Sequence, residues 1–375
     1  MKILFTGGGT GGHFYPIIAV ANALRQRVTD RKIIPPQLYY MAPSKYNPRA
    51  VFDSELQFLK VPAGKMRRYF SILNFFDIFK TIYGCLWALI QMYRIFPDVV
   101  FGKGGYVSFP ALFAAKILHI PVIIHESDSK PGRVNLWAGK FAKKVAISYP
   151  EASKYFKQDK VALTGNPIRK EITEPLSNGA IEFLKLENNV PTILILGGSQ
   201  GSKMINDIII ESAPELLNRY QIIHQTGKNN FEETQNTMSV VLKDHPYSYR
   251  YHPYDFLNEL ALRMSAGTAE IVVSRAGSTI FEIAAWGLPS IIIPLPNTIS
   301  HDQTANAFAY AKSGAAVVIE ENNLSSHVLI EEIDRIVTSP TIRQTMRDKA
   351  KAFSRLDSAN IIADAILNTA LEHYE

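Results

Sequence analysis

Two glycine-rich loops and one histidine are the first places in this 375-residue chain where residue type and spacing point to chemistry. Gly7, Gly9 and Gly12 satisfy G-x-G-x-x-G directly after the apolar run 2–6, and Gly197-Gly198-Ser199-Gln200-Gly201-Ser202 follows a second such run at 192–196. Glycine lets a backbone approach a diphosphate closely, and a helix starting behind the loop supplies unpaired N–H donors and a partial positive charge. His13 closes the first loop, and an imidazole with an ordinary pKa of about 6.5 accepts a proton at neutral pH. A helix-capping or loop-ordering histidine is the bland alternative. A dinucleotide would also want an acid at the end of the second strand for its ribose, and there the chain reads Met41-Ala42-Pro43-Ser44-Lys45.

The elements that position these loops are strands alternating with helices. After the first loop a helix is expected over 15–27, with Pro16 near its first turn, where a missing N–H costs nothing. Short apolar runs recur at 37–41, 98–101, 122–124, 161–163, 221–224, 271–273 and 290–293. Strands spaced by helical stretches predict parallel sheets covered on both faces. Two runs, each opened by strand, glycine loop and helix, predict an α/β chain of two Rossmann-like domains facing across a cleft. The expected division is 1–164, 165–358 and a last helical stretch, 359–375, that packs elsewhere, on the first domain. The weakly patterned stretch 165–190 reads as a hinge.

Length and composition agree with two ordinary folded domains: about 150 residues per domain is typical, and 47% hydrophobic with 20% charged residues excludes disorder, collagen and disulfide scaffolds. The single cysteine, Cys85, cannot form an internal disulfide. Forty basic against 34 acidic residues give a net charge of +6, which suits an anionic partner. No nucleic-acid-binding motif accompanies the basic residues. There is no Asp-x-Asp pair, zinc-spaced Cys/His set, G-x-S-x-G or P-loop Lys-Ser/Thr, so no metal or cofactor is expected. No secretory apolar core follows Met1, and the longest apolar stretch, 82–90, falls short of the ~18–20 residues that cross a bilayer. The expected location is the cytosol or the inner membrane face.

Five motifs in order, Gly8-Gly9-Thr10-Gly11-Gly12-His13, Gly104-Gly105-Tyr106-Val107-Ser108, Gly165-Asn166-Pro167-Ile168-Arg169, Gly197-Gly198-Ser199-Gln200-Gly201 and Ser274-Arg275-Ala276-Gly277, closely resemble the MurG family over residues 1–316. The resemblance implies the GT-B glycosyltransferase fold. It also implies inverting transfer of N-acetylglucosamine from UDP-N-acetylglucosamine to the 4-hydroxyl of undecaprenyl-diphospho-N-acetylmuramoyl-pentapeptide. By motif match, Thr10, Gly11 and Gly12 line the donor site, Arg169 offers a cation and Ser199 a hydroxyl to phosphate, and Leu257 meets uracil through its backbone. Thr279, Ile280 and Glu282 open a helix with Glu282 at the ribose hydroxyls, where a carboxylate accepts from a vicinal diol. Gln303 faces the sugar. His13 is the first choice of general base, Glu126 the second and Asp128 the third. Asp128 stands in His125-Glu126-Ser127-Asp128, where the family usually has His-Glu-Gln-Asn. The loop from Arg275 to Glu282 is one residue shorter than the usual pattern, which shifts Ser278 to Ile280 by up to one position.

Residues 69–90 hold seven aromatics, Tyr69, Phe70, Phe75, Phe76, Phe79, Tyr83 and Trp87, about three times the 11% of the whole chain. Read as a helix, Ile72, Phe76, Phe79, Tyr83, Leu86 and Ile90 form one face, expected to reach the core. Lys60, Lys65, Arg67, Arg68 and Lys80 lie in or beside this segment, and Lys140, Lys143 and Lys144 are expected to extend it. Aromatics flanked by cations are how a protein rests on an anionic bilayer. Arg67, Arg68, Phe75, Phe76, Phe79, Lys80 and Trp87 are therefore the expected membrane patch, on the cytoplasmic face. The readings that compete are another sugar-nucleotide enzyme of the same fold, such as a lipid glycosyltransferase or a UDP-N-acetylglucosamine epimerase, and a non-catalytic nucleotide-binding module.

Overall fold

The computed structural model describes residues 1–65, 72–198, 201–296 and 301–372, without the side chains of 72–74 and 301–302. Arg67, Arg68 and Ser199 lie outside the described residues. The chain divides into two compact units, one of residues 1–169 with 355–375, the other of residues 170–354.

In the first unit the strands among the described residues are β1 (Lys2–Thr6), β2 (Gln37–Ala42), β3 (Gln57–Lys60), β4 (Val99–Gly102), β5 (Val122–Glu126), β6 (Lys144–Ile147) and β7 (Val161–Leu163). Their spatial order is β3-β2-β1-β4-β5-β6-β7, and every pair is parallel. The order reverses between β1 and β4, and outside the carboxyl ends of such a pair an open α/β sheet forms its binding crevice. The helices are α1 (Gly11–Asp30), α2 (Pro48–Asp53), α3 (Ile72–Ile95), α4 (Phe109–Ile117) and α5 (Arg133–Ala138).

Alternate strand residues serve opposite faces, as the period of two demands. Ile3, Phe5, Val99 and Phe101 pack with Phe14, Ile17, Leu24 and Val28 of α1. Leu4, Val100, Val122 and Ile124 pack with Ala88 and Met92 of α3 and Leu112 of α4. Helix α1 begins at Gly11, earlier than the sequence suggests. Pro16 therefore lies inside it and gives up one main-chain bond. His13 is consequently a first-turn helix residue and not the end of a loop.

In the second unit, α6 (Ala180–Leu184), β8 (Thr192–Leu196), α7 (Lys203–Leu216), β9 (Gln221–Gln225), α8 (Phe231–Val241), β10 (Tyr251–Tyr254), α9 (Glu259–Thr268), β11 (Ala269–Ser274), α10 (Thr279–Trp286), β12 (Ser290–Ile292), α11 (His301–Ala311), β13 (Ala316–Val318), α12 (Ser326–Val337) and α13 (Pro340–Phe353) follow in order. The parallel sheet runs β10-β9-β8-β11-β12-β13, reversing between β8 and β11. Pro253 sits on the edge strand β10, the place a sheet tolerates a missing N–H. The stretch read as a hinge contains the division between the units, after Arg169, and from Lys170 onward it belongs to this unit. The Trp286 indole donates to the Ile172 carbonyl at 2.7 Å, and Arg263 Nε to the Glu174 carbonyl at 3.0 Å.

The last helix, α14 (Ser358–Leu371), belongs to the first unit. It buries Ile362, Ala363, Ile366 and Leu367 in the core that α1 shares, and Asp364 pairs with Arg31 of the residues after α1 at 2.7 Å.

Candidate active site

The two glycine loops stand where the sheets reverse. In the first unit, Gly7–Gly9 follow β1 with φ of +149°, +125° and +83°, a region that L side chains rarely enter. A Cβ on Gly8 would lie 2.6 Å from the Tyr40 hydroxyl, which donates to the Gly7 carbonyl at 2.9 Å. Main-chain pairing of Thr6 with Gly102 sets the Lys103–Ser108 segment beside this loop. The His13 ring lies over Gly105, whose missing Cβ would be 3.7 Å from Nε2. His13 Nδ1 is 3.0 Å from Thr10 Oγ1. If Nδ1 carries the proton and donates to Thr10, the Nε2 lone pair is the accepting one. Arg169 stacks 4.3 Å over the Tyr15 ring of α1.

Glu126, at the end of β5, is held by three donors. One carboxylate oxygen accepts from the Asp128 N–H at 2.9 Å, and the other from the Gly132 N–H at 3.0 Å and the Asn135 amide at 2.9 Å. The same Asn135 amide donates to the His125 carbonyl at 3.0 Å. A Cβ on Gly104 would collide with that amide at 2.6 Å. Glu126 therefore shapes the turn that presents Asp128. His125 is fully buried with Nε2 2.9 Å from the Gly165 carbonyl.

Burial, and then the Lys103 charge, bring His13 down to about 4. It is therefore neutral at pH 7, free to accept a proton. Burial first, then Asp128, pushes the Glu126 carboxyl above the usual carboxylate range, against its hydrogen bonds and Lys103. Lys103, Asn135 and Gly104 are the members of this group that sequence reasoning missed. The Gly104-Gly105 pair was visible as a motif, but nothing in the sequence said that a lysine would be buried beside His13.

In the second unit the loop after β8 leads to Ser202, whose hydroxyl caps α7 by accepting from the Ile205 N–H at 3.3 Å. Arg275, just past β11, donates to that hydroxyl from Nη2 at 2.6 Å and to the Ile293 carbonyl at 3.1 Å, and pairs with Glu321 at 2.5 Å. Sequence reasoning saw Arg275 in a motif but gave it no task; it braces the loop. Leu257 is buried, and its N–H is taken by Gln225 Oε1 at 3.0 Å. Ile280 has a fully buried side chain and an N–H that donates to the Gly277 carbonyl at 3.2 Å, so it is a core residue with no donor to spare. Thr279 and Glu282 are half-buried in the first turn of α10. Gln303 Oε1 accepts from the Leu295 N–H at 3.2 Å.

The α3 face expected in the core is the exposed one. Phe76, Phe79, Tyr83, Leu86 and Ile90 are all exposed, with Phe75, Ile78, Ile82 and Tyr93 beside them, and the Ile72 side chain lies outside the described residues. Small residues make the core contact: Gly84, Cys85 and Ala88 with Met92. A Cβ on Gly84 would sit 2.0 Å from the Pro62 carbonyl oxygen, so close packing requires glycine there. Trp87 is half-buried against this core, and Lys80 is exposed. Lys143 pairs with Glu372. Among the described residues, no helix is long and apolar enough to cross a membrane.

Two Rossmann-ordered parallel sheets, each with a glycine loop at its reversal point, define the GT-B fold, and the matching families make the chain a glycosyltransferase. Residues 3–147 match the glycosyltransferase family 28 N-terminal domain, and residues 192–362 match the family 28 C-terminal domain. The UDP-N-acetylglucosamine–N-acetylmuramyl-(pentapeptide) pyrophosphoryl-undecaprenol N-acetylglucosamine transferase of Treponema denticola is 37% identical over 348 residues, covering 88% of this chain and 86% of that protein. Its namesake in Clostridium novyi is 34% identical, covering 100% and 99%. The chain belongs to this transferase family, the MurG family. The crystal structure of Acinetobacter baumannii MurG superimposes with a TM-score of 0.74 at 25% identity, covering 98% and 99% of the two chains. A UDP-GlcNAc 2-epimerase from Neisseria meningitidis shares the fold at a TM-score of 0.69 and 17% identity, covering 98% and 100%.

Proposed function

We propose that this enzyme moves N-acetylglucosamine from UDP-N-acetylglucosamine to the 4-hydroxyl of undecaprenyl-diphospho-N-acetylmuramoyl-pentapeptide, with inversion, in peptidoglycan synthesis. The observation that carries the reading is 34–37% identity to transferases of that name along 88–100% of the chain. In this reading the acceptor oxygen attacks the anomeric carbon from the face opposite UDP. The sugar–phosphate bond breaks, and its electron pair leaves on the diphosphate. The hydroxyl proton passes to His13 Nε2, with Asp128 as the alternative acceptor. Glu126, held by three donors of the turn, serves that turn instead.

On the donor side, charge developing on the departing diphosphate meets loop N–H groups and a helix N-terminus, with Ser199 and Arg169 adding a hydroxyl and a cation. Glu282 and Thr279 take the ribose, Gln303 the sugar, and the Leu257 carbonyl the uracil, since its N–H is committed. Thr10, Gly11 and Gly12 line the sugar-bearing end. No metal is required in this scheme. The exposed face of α3 rests on the anionic cytoplasmic membrane surface where a polyprenyl acceptor is anchored, the protein being peripheral. No nucleic acid is involved. The deciding assay incubates the protein with labelled UDP-N-acetylglucosamine and the muramoyl-pentapeptide lipid, with and without EDTA. A labelled disaccharide lipid in both is expected. Conversion of free UDP-sugar without acceptor would instead favour an epimerase, and donor binding without transfer a non-catalytic module.

A further inference from the structure

Lys103 has no part in the scheme above, yet its surroundings are unusual for a lysine. It follows β4, its N–H donates to the Thr6 carbonyl at 2.9 Å, and its Cβ lies 2.8 Å from where a Gly7 Cβ would be. The residue is 1% exposed, and its Nζ has no hydrogen-bond partner among the described residues. A buried ammonium without hydrogen bonds is costly, and such groups concentrate where their charge is used. The titratable groups facing this region come from several elements. His13 is on α1, His125 and Glu126 end β5, Asp128 lies in the turn after it, Tyr40 is on β2, and the Tyr106 hydroxyl lies 3.7 Å from where a Gly9 Cβ would be. Glu126 is filled by Asp128, Gly132 and Asn135, which leaves the lysine beside its carboxylate without a bond to it.

We propose that Lys103 is a positioning residue that sets the resting protonation of this cluster: its enclosed charge disfavours a second cation on His13 and favours an ionised Glu126, so that the imidazole is unprotonated before the acceptor hydroxyl arrives. The proposal rests on the transferase reading only for the identity of the proton that His13 takes. A cation beside an imidazole disfavours imidazolium, and a carboxylate beside an ammonium stabilises both charges. Consistent with this geometry, Lys103 lowers His13, while burial brings Lys103 itself to about 8 and Glu126 and Asp128 hold it up. Neutral His13 and charged Lys103 thus coexist from about pH 4 to about pH 8.

The test uses the full chain with K103M and K103R, reading the His13 imidazole by nitrogen NMR titration and the transfer rate between pH 5 and 9. In K103M the His13 midpoint rises by up to about one unit towards its ordinary value, burial still holding it low, and an acid limb appears in the rate profile where the parent is flat. K103R keeps the midpoint low. A midpoint still near that of the parent in K103M, or a K103R midpoint that rises as far as that of K103M, overturns the proposal. Because Nζ holds no hydrogen bond, K103M is expected to melt no lower than the parent; if it fails to fold, the same titration on K103Q decides. The NMR reading needs no substrate, so it judges Lys103 even in a chain that transfers no sugar.

Discussion

Asn135 reaches back across the turn to Glu126, its side-chain amide 2.9 Å from the carboxylate, and the fit depends on Gly104 having no side chain. The Glu126 carboxylate collects three donors from this turn. E126Q would set an NH2 against one or more of these donors. Leaving buried donors unmatched costs about 1–3 kcal/mol each. The expected result is a lower melting temperature together with lower activity; a normal melting temperature with only the turnover reduced would return Glu126 to the role of base.

His13→Ala removes the proton acceptor but leaves the loop glycines. Turnover is expected to fall about 10²–10⁴-fold, with donor affinity measured by calorimetry changing little. Equal losses in both would sink the assignment.

The Arg275–Glu321 pair is nearly enclosed, with side-chain exposures of 11% and 13%, and holds the Ser202 cap through the guanidinium. Breaking one partner of a buried pair costs about 3–5 kcal/mol. E321Q is expected to lower the thermal stability of the chain and weaken UDP binding more than acceptor binding. Unchanged UDP affinity would mean that the brace has no bearing on the donor loop.

On α3 the exposed and packed faces separate cleanly. F75S with F79S should reduce sedimentation with anionic vesicles while leaving the melting temperature within a degree or two, since these rings are 59% and 57% exposed. M92A, in the packed face, should do the reverse, costing about 2–5 kcal/mol as core truncations do. Vesicle binding that survives the phenylalanine changes would remove the membrane role from this face.

Acid should unfold this chain through its histidines. Burial brings His224 down to about 3, with its ring nitrogens near Tyr251 Oη and Asn206 Oδ1 at 2.9 and 3.1 Å, and His13 and His125 are lowered too. Each folded pKa lies below its unfolded value, so between the two the unfolded chain binds more protons. Their stabilisation is complete above about pH 6.5 and is lost as pH falls towards 4 and below. Urea midpoints measured from pH 8 to 4 should decline across that window, and less steeply in H224Q if that variant folds.

Much of the framework is legible along the chain because local pattern determines it. Runs such as Ile3-Leu4-Phe5 and Ile193-Leu194-Ile195, buried on both faces, can only be central parallel strands. The glycine loops behind them mark the two reversal points. The polar-edged strands β3, β6, β10 and β13 escaped, because short edge or near-edge strands carry little apolar signal and owe their pairing to neighbours.

What the sequence determined by itself was therefore two Rossmann-like halves, a glycine loop in each, a histidine behind the first loop, and a glutamate and an aspartate two residues apart. The tertiary structure decided the roles. A stripe of large apolar residues at helical spacing looks the same whether it meets a core or a membrane, and α3 turned on where Gly84, Cys85 and Ala88 allow close approach. Glu126 is marked out by its burial and by the donors that the fold brings to it. Lys103 looks like any surface lysine until strand register encloses it beside His13, because burial and neighbouring charge are properties of the assembled sheet and not of the residue.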